Sequence, residues 1–230
     1  MKKRILLIII AVMVASFFSW TQNVMVIKMK DNSVHILNVD EIRQVVNQDC
    51  PEAEAIDLGL PSGTKWASWN IGASSPEEYG GYYAWGETEE KSYYSWNTYV
   101  YYNDGFVDIG DDIAGTQYDV AHVKWGGTWR MPSSEQIREL IVNCSSEWKA
   151  MNGMKGILVT GPNGSTIFFP ATGGFLWDGN LTYEGSVGYY WSSSLDFDEL
   201  VSLLYFDSNG WDHWRGIGRD CGLSVRAVCH

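Results

Sequence analysis

The stretch Trp125-Gly-Gly-Thr-Trp-Arg-Met-Pro-Ser-Ser-Glu-Gln136 decides how this chain is arranged. A glycine turn, an aromatic pair (Trp125 and Trp129), Arg130 and then Pro132 lead straight into a helix start. Ser133 followed three residues later by Gln136 is a capping box: the Ser133 hydroxyl accepts from the Gln136 backbone N–H, and the Gln136 side chain returns to the Ser133 N–H. Ile137, Leu140, Ile141 and Cys144 then recur at i, i+3, i+4 and i+7, which predicts one buried helical face.

Upstream, Lys2, Lys3 and Arg4 precede an uncharged run from Ile5 to Phe18. That run is shorter than the roughly 20 residues a spanning helix needs. Ser19 and Thr21 stand at −3 and −1 of a cut before Gln22, so residues 1–21 read as a secretory signal peptide and the mature chain as exported and not membrane-inserted. The chain has 16 Lys and Arg against 28 Asp and Glu, a net charge of −12, and the leader holds three of the basic residues. An acidic surface of this kind repels phosphate backbones and anionic lipid headgroups, which excludes nucleic acid as a partner.

Val24 to Lys30 and Val34 to Val39 are β-rich runs around Asp31-Asn32-Ser33, a hairpin element within residues 22–47, followed by a short amphipathic piece and a linker, 48–54. The main domain spans 55–230. It opens with a short strand, a Pro-Ser-Gly turn at 61–63 and a second strand. Tyr79 to Tyr102 is dense in aromatics that read as packing. Gly161-Pro-Asn-Gly164 is a hairpin between Gly156–Thr160 and Ser165–Pro170. Tyr189–Ser193, Leu200–Phe206 and Leu223–Val228 are strand candidates. In the last, alternation places Leu223, Val225 and Ala227 on one face and Ser224, Arg226 and Val228 on the other.

Six ordered motifs resemble the Fibrobacter succinogenes major paralogous domain family of exported Bacteroidetes-type proteins. They are Asp57-Leu-Gly-Leu-Pro-Ser-Gly-Thr-Lys-Trp-Ala67, Gly72-Ala-Ser-Ser-Pro-Glu-Glu-Tyr-Gly80, Tyr83-Ala-Trp-Gly-Glu-Thr88, Trp125 to Ser133, Gly188-Tyr-Tyr-Trp-Ser-Ser-Ser194 and Gly222-Leu-Ser-Val-Arg-Ala-Val228. They span roughly residues 55 to 229. The family is similar in pattern to the C-type-lectin-like fold shared with formylglycine-generating enzymes. The resemblance implies a loop-rich α+β domain whose first strand, Ala55 to Leu58, pairs with the last, Leu223 to Val228. From that pairing follows a disulfide between Cys50 and Cys229. Trp129, Arg130, Pro132, Ser133, Gln136 and Arg226 belong to motifs that build the scaffold. Members often carry Cys where this chain has Trp69, so Cys144 is either free or paired with Cys221. Cys221 and Cys229 are poor partners, because a strand between them at about 3.3 Å per residue sets their Cα atoms beyond the roughly 7 Å a disulfide allows.

Catalytic and metal chemistries have thin support. The cysteines lack the close spacing of an oxidase pair, and no nucleophile elbow or paired-carboxylate motif accompanies His122 or His213. A degenerate formylglycine-generating-type enzyme is therefore the weakest functional class. No cofactor is indicated. Calcium remains open through Asp104, Asp108, Asp111 and Asp112 in one loop and Asp196, Asp198 and Glu199 in another, although neither matches EF-hand spacing. The best binding candidates are aromatics in Gly-rich polar connections: Trp177 and Tyr183 in the loop Gly173–Gly185, and Asp207, Asn209, Trp211, Asp212, His213, Trp214 and Arg215 in Phe206–Arg219. Indoles beside directional polar groups suit a glycan or a surface protein. A structural subunit or spacer of a surface assembly is the alternative.

Overall fold

A computed structural model describes residues 24–28, 34–38, 53–177, 179–197 and 200–230. The chain forms two compact units, Met1–Glu52 and Ala53–His230. In the first, β1 (Val24–Lys28) and β2 (Val34–Asn38) pair antiparallel with Val26 opposite Ile36. Residues 1–21, expected as a signal peptide, the Asp31-Asn32-Ser33 turn and Cys50 lie outside the described residues, as does the expected linker up to residue 52, whereas Ala53 is buried in the second unit.

The second unit is a β-dominated α+β fold with long connections. It opens with β3 (Ala55–Asp57) and β4 (Lys65–Ala67), joined through the Pro61-Ser-Gly turn in which the Gly63 N–H bonds the Leu60 carbonyl at 2.9 Å. Helix α1 (Val120–Trp125) starts where the Asp119 carboxylate accepts from the Ala121 and His122 N–H groups. It stops at Gly126, whose φ of 67° suits glycine. Helix α2 (Ser134–Asn143) has the expected capping box: Gln136 N–H to Ser133 Oγ at 3.3 Å and Ser133 N–H to Gln136 Oε1 at 2.9 Å. Ile137 and Leu140 are buried, while Cys144 is the C-cap residue in extended conformation.

Beyond α2 comes a meander of β5 (Ser145–Met151), β6 (Met154–Thr160) and β7 (Thr166–Pro170), of which sequence reasoning missed β5. Thr160 opposite Thr166 closes the Gly161–Gly164 hairpin. A small ribbon, β8 (Gly174–Phe175) with β9 (Leu181–Thr182), precedes a three-stranded antiparallel sheet in the order β10 (Gly188–Phe197), β11 (Leu200–Asp207), β12 (Gly210–Gly218). The chain closes with β13 (Val228–Cys229).

The three-stranded sheet divides two apolar cores. Alternation sends Tyr189, Trp191, Val201 and Leu203 into the first core with Trp85, and sends Tyr190, Leu204 and Phe206 into the second with Trp66, Leu140 and Phe169. Each fully buried large apolar side chain stabilises by about 1.5–3 kcal/mol. Two first-core indoles have satisfied donors, Trp85 Nε1 to the Ser192 carbonyl at 3.1 Å and Trp191 Nε1 to the Tyr83 carbonyl at 2.7 Å, whereas the buried Nε1 of Trp66 and of Trp69 have no acceptor.

The C-terminal segment threads between those cores. Leu223, Val225 and Ala227 enter the first and Val228 the second, following the predicted alternation. Its pairing differs from expectation, however. β13 pairs with β4, and β4 with β3, so β4 lies between the two strands expected to be neighbours. The Pro-Ser-Gly turn folds β4 back onto β3, leaving the far edge of β4 to accept the C-terminus: Ala67 N–H bonds the Ala227 carbonyl at 2.9 Å. The segment is also not one regular strand. Its partners change along its length, from Phe175 at Gly222 to Tyr83 at Leu223 and Tyr190 at Ser224, then Arg130 at Val228.

The three described cysteines stand as thiols. Cys221 sits in the first core and Cys144 packs against the second, which rules out the Cys144–Cys221 alternative. Cys229 is also a free thiol in this structure, and its expected partner Cys50 is outside the described residues.

Candidate functional site

The expected ligand surface splits into two places. The stretch expected as a loop from Phe206 to Arg219 is instead mostly strand β12, with a tight turn at Asp207–Gly210. The turn uses the residues expected to bind. Asp207 Oδ1 accepts the Asn209 backbone N–H at 2.7 Å, and its Oδ2 accepts the Tyr205 hydroxyl at 3.0 Å. The Asn209 N–H, foremost, holds the Asp207 carboxyl below the usual carboxylate range. The motif is an Asx turn, and it explains Asp207 and Asn209 without a ligand.

Along β12, Trp211 stands opposite Phe206 and packs against the second core. His213, two residues on and on the same face, reaches Ser134 Oγ with Nε2 at 2.9 Å. Asp212 is exposed and its Oδ1 accepts the His213 backbone N–H at 2.7 Å. Asp212 and His213 line a shallow groove of about 360 Å³ with Arg138, Ile141 and Val142 of α2. Trp214 and Arg215 are placed by register alone, opposite Leu203 and Ser202. Ser134 and His213 are a hydroxyl and an imidazole in hydrogen-bond reach, but the Ser134 side chain is buried at the start of α2. The Asp212 carboxylate is engaged by backbone, so a Ser-His-Asp relay is not assembled through that oxygen.

The second place is built on the β8–β9 ribbon. Phe175 and Gly222 exchange two backbone hydrogen bonds of 2.9 Å, which fixes β8 to the C-terminal segment. Beyond it the chain turns at Leu176–Asn180 and presents Trp177, 74 % exposed. Tyr183, 54 % exposed, follows β9 with φ of 63°. A left-handed conformation is unfavourable for a residue with a Cβ, by about 1–2 kcal/mol. Three donors to the Tyr183 carbonyl hold it there: the N–H groups of Ser186 and Val187, each at 3.0 Å, and Ser186 Oγ at 2.8 Å. Trp177 and Tyr183, with Leu176 and Thr182, line a cleft of about 260 Å³. The Tyr183 ring continues inward to Tyr189 at 6.5 Å, and Tyr189 to Tyr205 at 5.6 Å. This row of rings lies on the first-core face of the sheet, whereas Trp211 and His213 lie on the second-core face.

Sequence reasoning missed three exposed rings in the aromatic-rich segment. Tyr82, Tyr83, Trp85, Tyr94 and Tyr99 are buried as expected, but Tyr93, Trp96 and Tyr102 are open to solvent. The polar neighbours Ser92, Ser95, Asn97, Thr98 and Asn103 were the available signal.

Metal chemistry gains no geometry here. Among the described residues no three His, Cys, Asp or Glu side chains are placed to hold an ion. Asp108 and Asp112 instead accept the backbone N–H groups of Gly110 and Ala114. Asp198 and Glu199 lie outside the described residues. Thiolate chemistry is also disfavoured: burial pushes the Cys144 thiol up to about 11 and the Cys221 thiol up to about 12. Among the described residues, no helix is long and apolar enough to cross a membrane. No family model, curated protein or solved structure matches the chain.

Proposed function

We propose that this chain is an exported, non-catalytic binding module that recognises a glycan or a protein at or outside the cell surface, with Trp177 and Tyr183 as its anchors. The carrying observation is the conformation of Tyr183: a large aromatic held left-handed, half in solvent, on the wall of a cleft it shares with Trp177. Backbone strain at an exposed aromatic is costly to stability and points to a use for the ring. The six motifs support membership of the major paralogous domain family and a C-type-lectin-like fold. The placement of β3 and β13 in one three-stranded sheet agrees with a domain closed near its ends. The basic, uncharged and small-residue pattern of residues 1–21 supports export.

The test is a glycan and protein array probed with the purified mature chain and with Trp177→Ala. Binding that the variant loses, at unchanged melting temperature, upholds the proposal. No binder at all, with both proteins folded, replaces it with a structural subunit or spacer of a surface assembly.

A further inference from the structure

Resting on that reading, we infer that the Trp177–Tyr183 cleft is one end of an aromatic track for an extended, uncharged polysaccharide chain, continued by Tyr93, Trp96 and Tyr102. Continuity comes from Gly179, where a Cβ would run into the Tyr93 ring, so Tyr93 lies directly on the loop that carries Trp177. Tyr93 is 50 % exposed. Three residues on, Trp96 packs against Phe106 at 5.0 Å and Tyr102 at 5.9 Å, and Tyr102 and Phe106 face each other across a tight turn. Val100 and Val107 add exposed apolar surface beside these rings.

Two features select the occupant. A cleft of about 260 Å³ is smaller than the roughly 300–1,000 Å³ of pockets that enclose a drug-sized ligand. It takes one ring-sized group, and any longer ligand must continue over the surface. The charge is also one-sided. Neither Tyr93–Asp112 nor Ala171–Tyr190 contains a Lys, Arg or His, whereas Asp104, Asp108 and Glu184 are exposed there. Two cations lie over neighbouring rings and are already engaged: Lys91, over Tyr94 and Tyr99, pairs with Glu87 at 2.8 Å, and Arg219 is buried against Trp85 and Phe106. The surface therefore offers flat apolar faces and anionic acceptors, and the donors within these two segments (among them Tyr hydroxyls, indole N–H groups and the Asn97 and Asn103 amides) are all neutral. A pyranose chain answers both, its C–H faces stacking on rings and its hydroxyls donating to carboxylates. Uronate or sulfated chains would bring like charge within a Debye length of about 8 Å at physiological salt.

The experiment is calorimetric titration of the mature chain with neutral cello-, malto- and manno-oligosaccharides of two to eight sugars, and with oligouronates of equal length. At least one neutral series should tighten tenfold or more between dimer and hexamer, with oligouronates at least tenfold weaker. Tyr93→Ala and Trp96→Ala should bring hexamer affinity down to that of the dimer. Trp177→Ala should abolish both. Asp104→Asn, which keeps a residue tolerant of its left-handed φ of 52°, should improve oligouronate binding with the fold undisturbed. Neutral binding without length dependence, and unaffected by Tyr93→Ala, overturns the track but leaves the cleft. Recognition only of a protein or peptide through Trp177 overturns the polysaccharide assignment and leaves the module function standing. No ligand of any kind overturns both.

Discussion

Arg226 and Asn70 are both fully buried, and Arg226 Nε donates to Asn70 Oδ1 at 2.7 Å. The same guanidinium donates to the carbonyls of Ala67 at 2.9 Å and Phe168 at 2.8 Å and lies 4.6 Å from the Phe169 ring centroid. One side chain thus ties the C-terminal segment to the β4 end and to β7 inside the second core. Arg226→Met strips partners from three buried acceptors, at about 1–3 kcal/mol each. We expect a loss of 3 kcal/mol or more in urea denaturation (about the lower bound of that sum), and Arg226→Lys should restore only part of it.

The start of α2 offers a smaller, local test. Ser133→Ala removes the acceptor of the Gln136 N–H and should cost about 1 kcal/mol. Trp129 is only partly buried, edge-on to Trp125 at 5.3 Å. Trp129→Ala should therefore fall at or below the about 3–5 kcal/mol of a fully buried ring. Denaturation midpoints unchanged in both variants would make this motif a recognition surface instead of scaffold.

Alkaline unfolding should be governed by the buried phenols. Burial raises Tyr82, Tyr83, Tyr99 and Tyr190, and pushes Tyr94 and Tyr189 up to about 12, from 10.0. The unfolded chain then releases these protons at lower pH than the folded one, so stability is intact below about pH 10 and falls as pH rises through that value and beyond. Absorbance at 295 nm should show a buried class of tyrosines ionising together with loss of near-UV circular dichroism. Ionisation of all tyrosines in one step with the fold retained would contradict this burial.

Thiol reactivity follows the same logic. With the Cys144 and Cys221 thiols raised by burial, both are protonated at pH 8 and poor nucleophiles. Iodoacetamide at pH 8 should label Cys144, the less buried, slowly and Cys221 only after unfolding, as read by peptide mass. Fast native labelling of Cys221 would mean the first core is open at that point.

Local features were legible in the sequence. The capping box at Ser133 and Gln136, the Gly161–Gly164 hairpin and the alternation of Leu223 to Val228 each depend on residues a few positions apart, where side-chain chemistry and backbone periodicity are directly coupled. Strand order was not, because whether β13 meets β3 or β4 depends on how a turn more than 150 residues away (Pro61–Gly63) directs β4. The misreading of β12 as a loop has a physical cause. β12 is the edge of its sheet, and edge strands carry charged and polar residues that interrupt apolar alternation. Of the candidate site, Trp177 and Tyr183 were visible as aromatics among glycines. Tyr93, Trp96 and Tyr102 were not separable from buried neighbours such as Tyr94 and Tyr99, because every second or third residue there is aromatic and the chain follows neither period.

The most direct test of the central claim is Tyr183→Gly, measured for both melting temperature and affinity toward whatever partner the array identifies. Glycine relieves the left-handed strain while the ring's contact with Tyr189 is lost, so stability should stay within about 1 kcal/mol of the parent, or about 2–4 °C. Affinity should fall at least tenfold, which would show a residue kept for recognition against its own conformational preference. A folded variant that binds as tightly as the parent would contradict the account, and so would a large drop in melting temperature, which would make Tyr183 part of the scaffold.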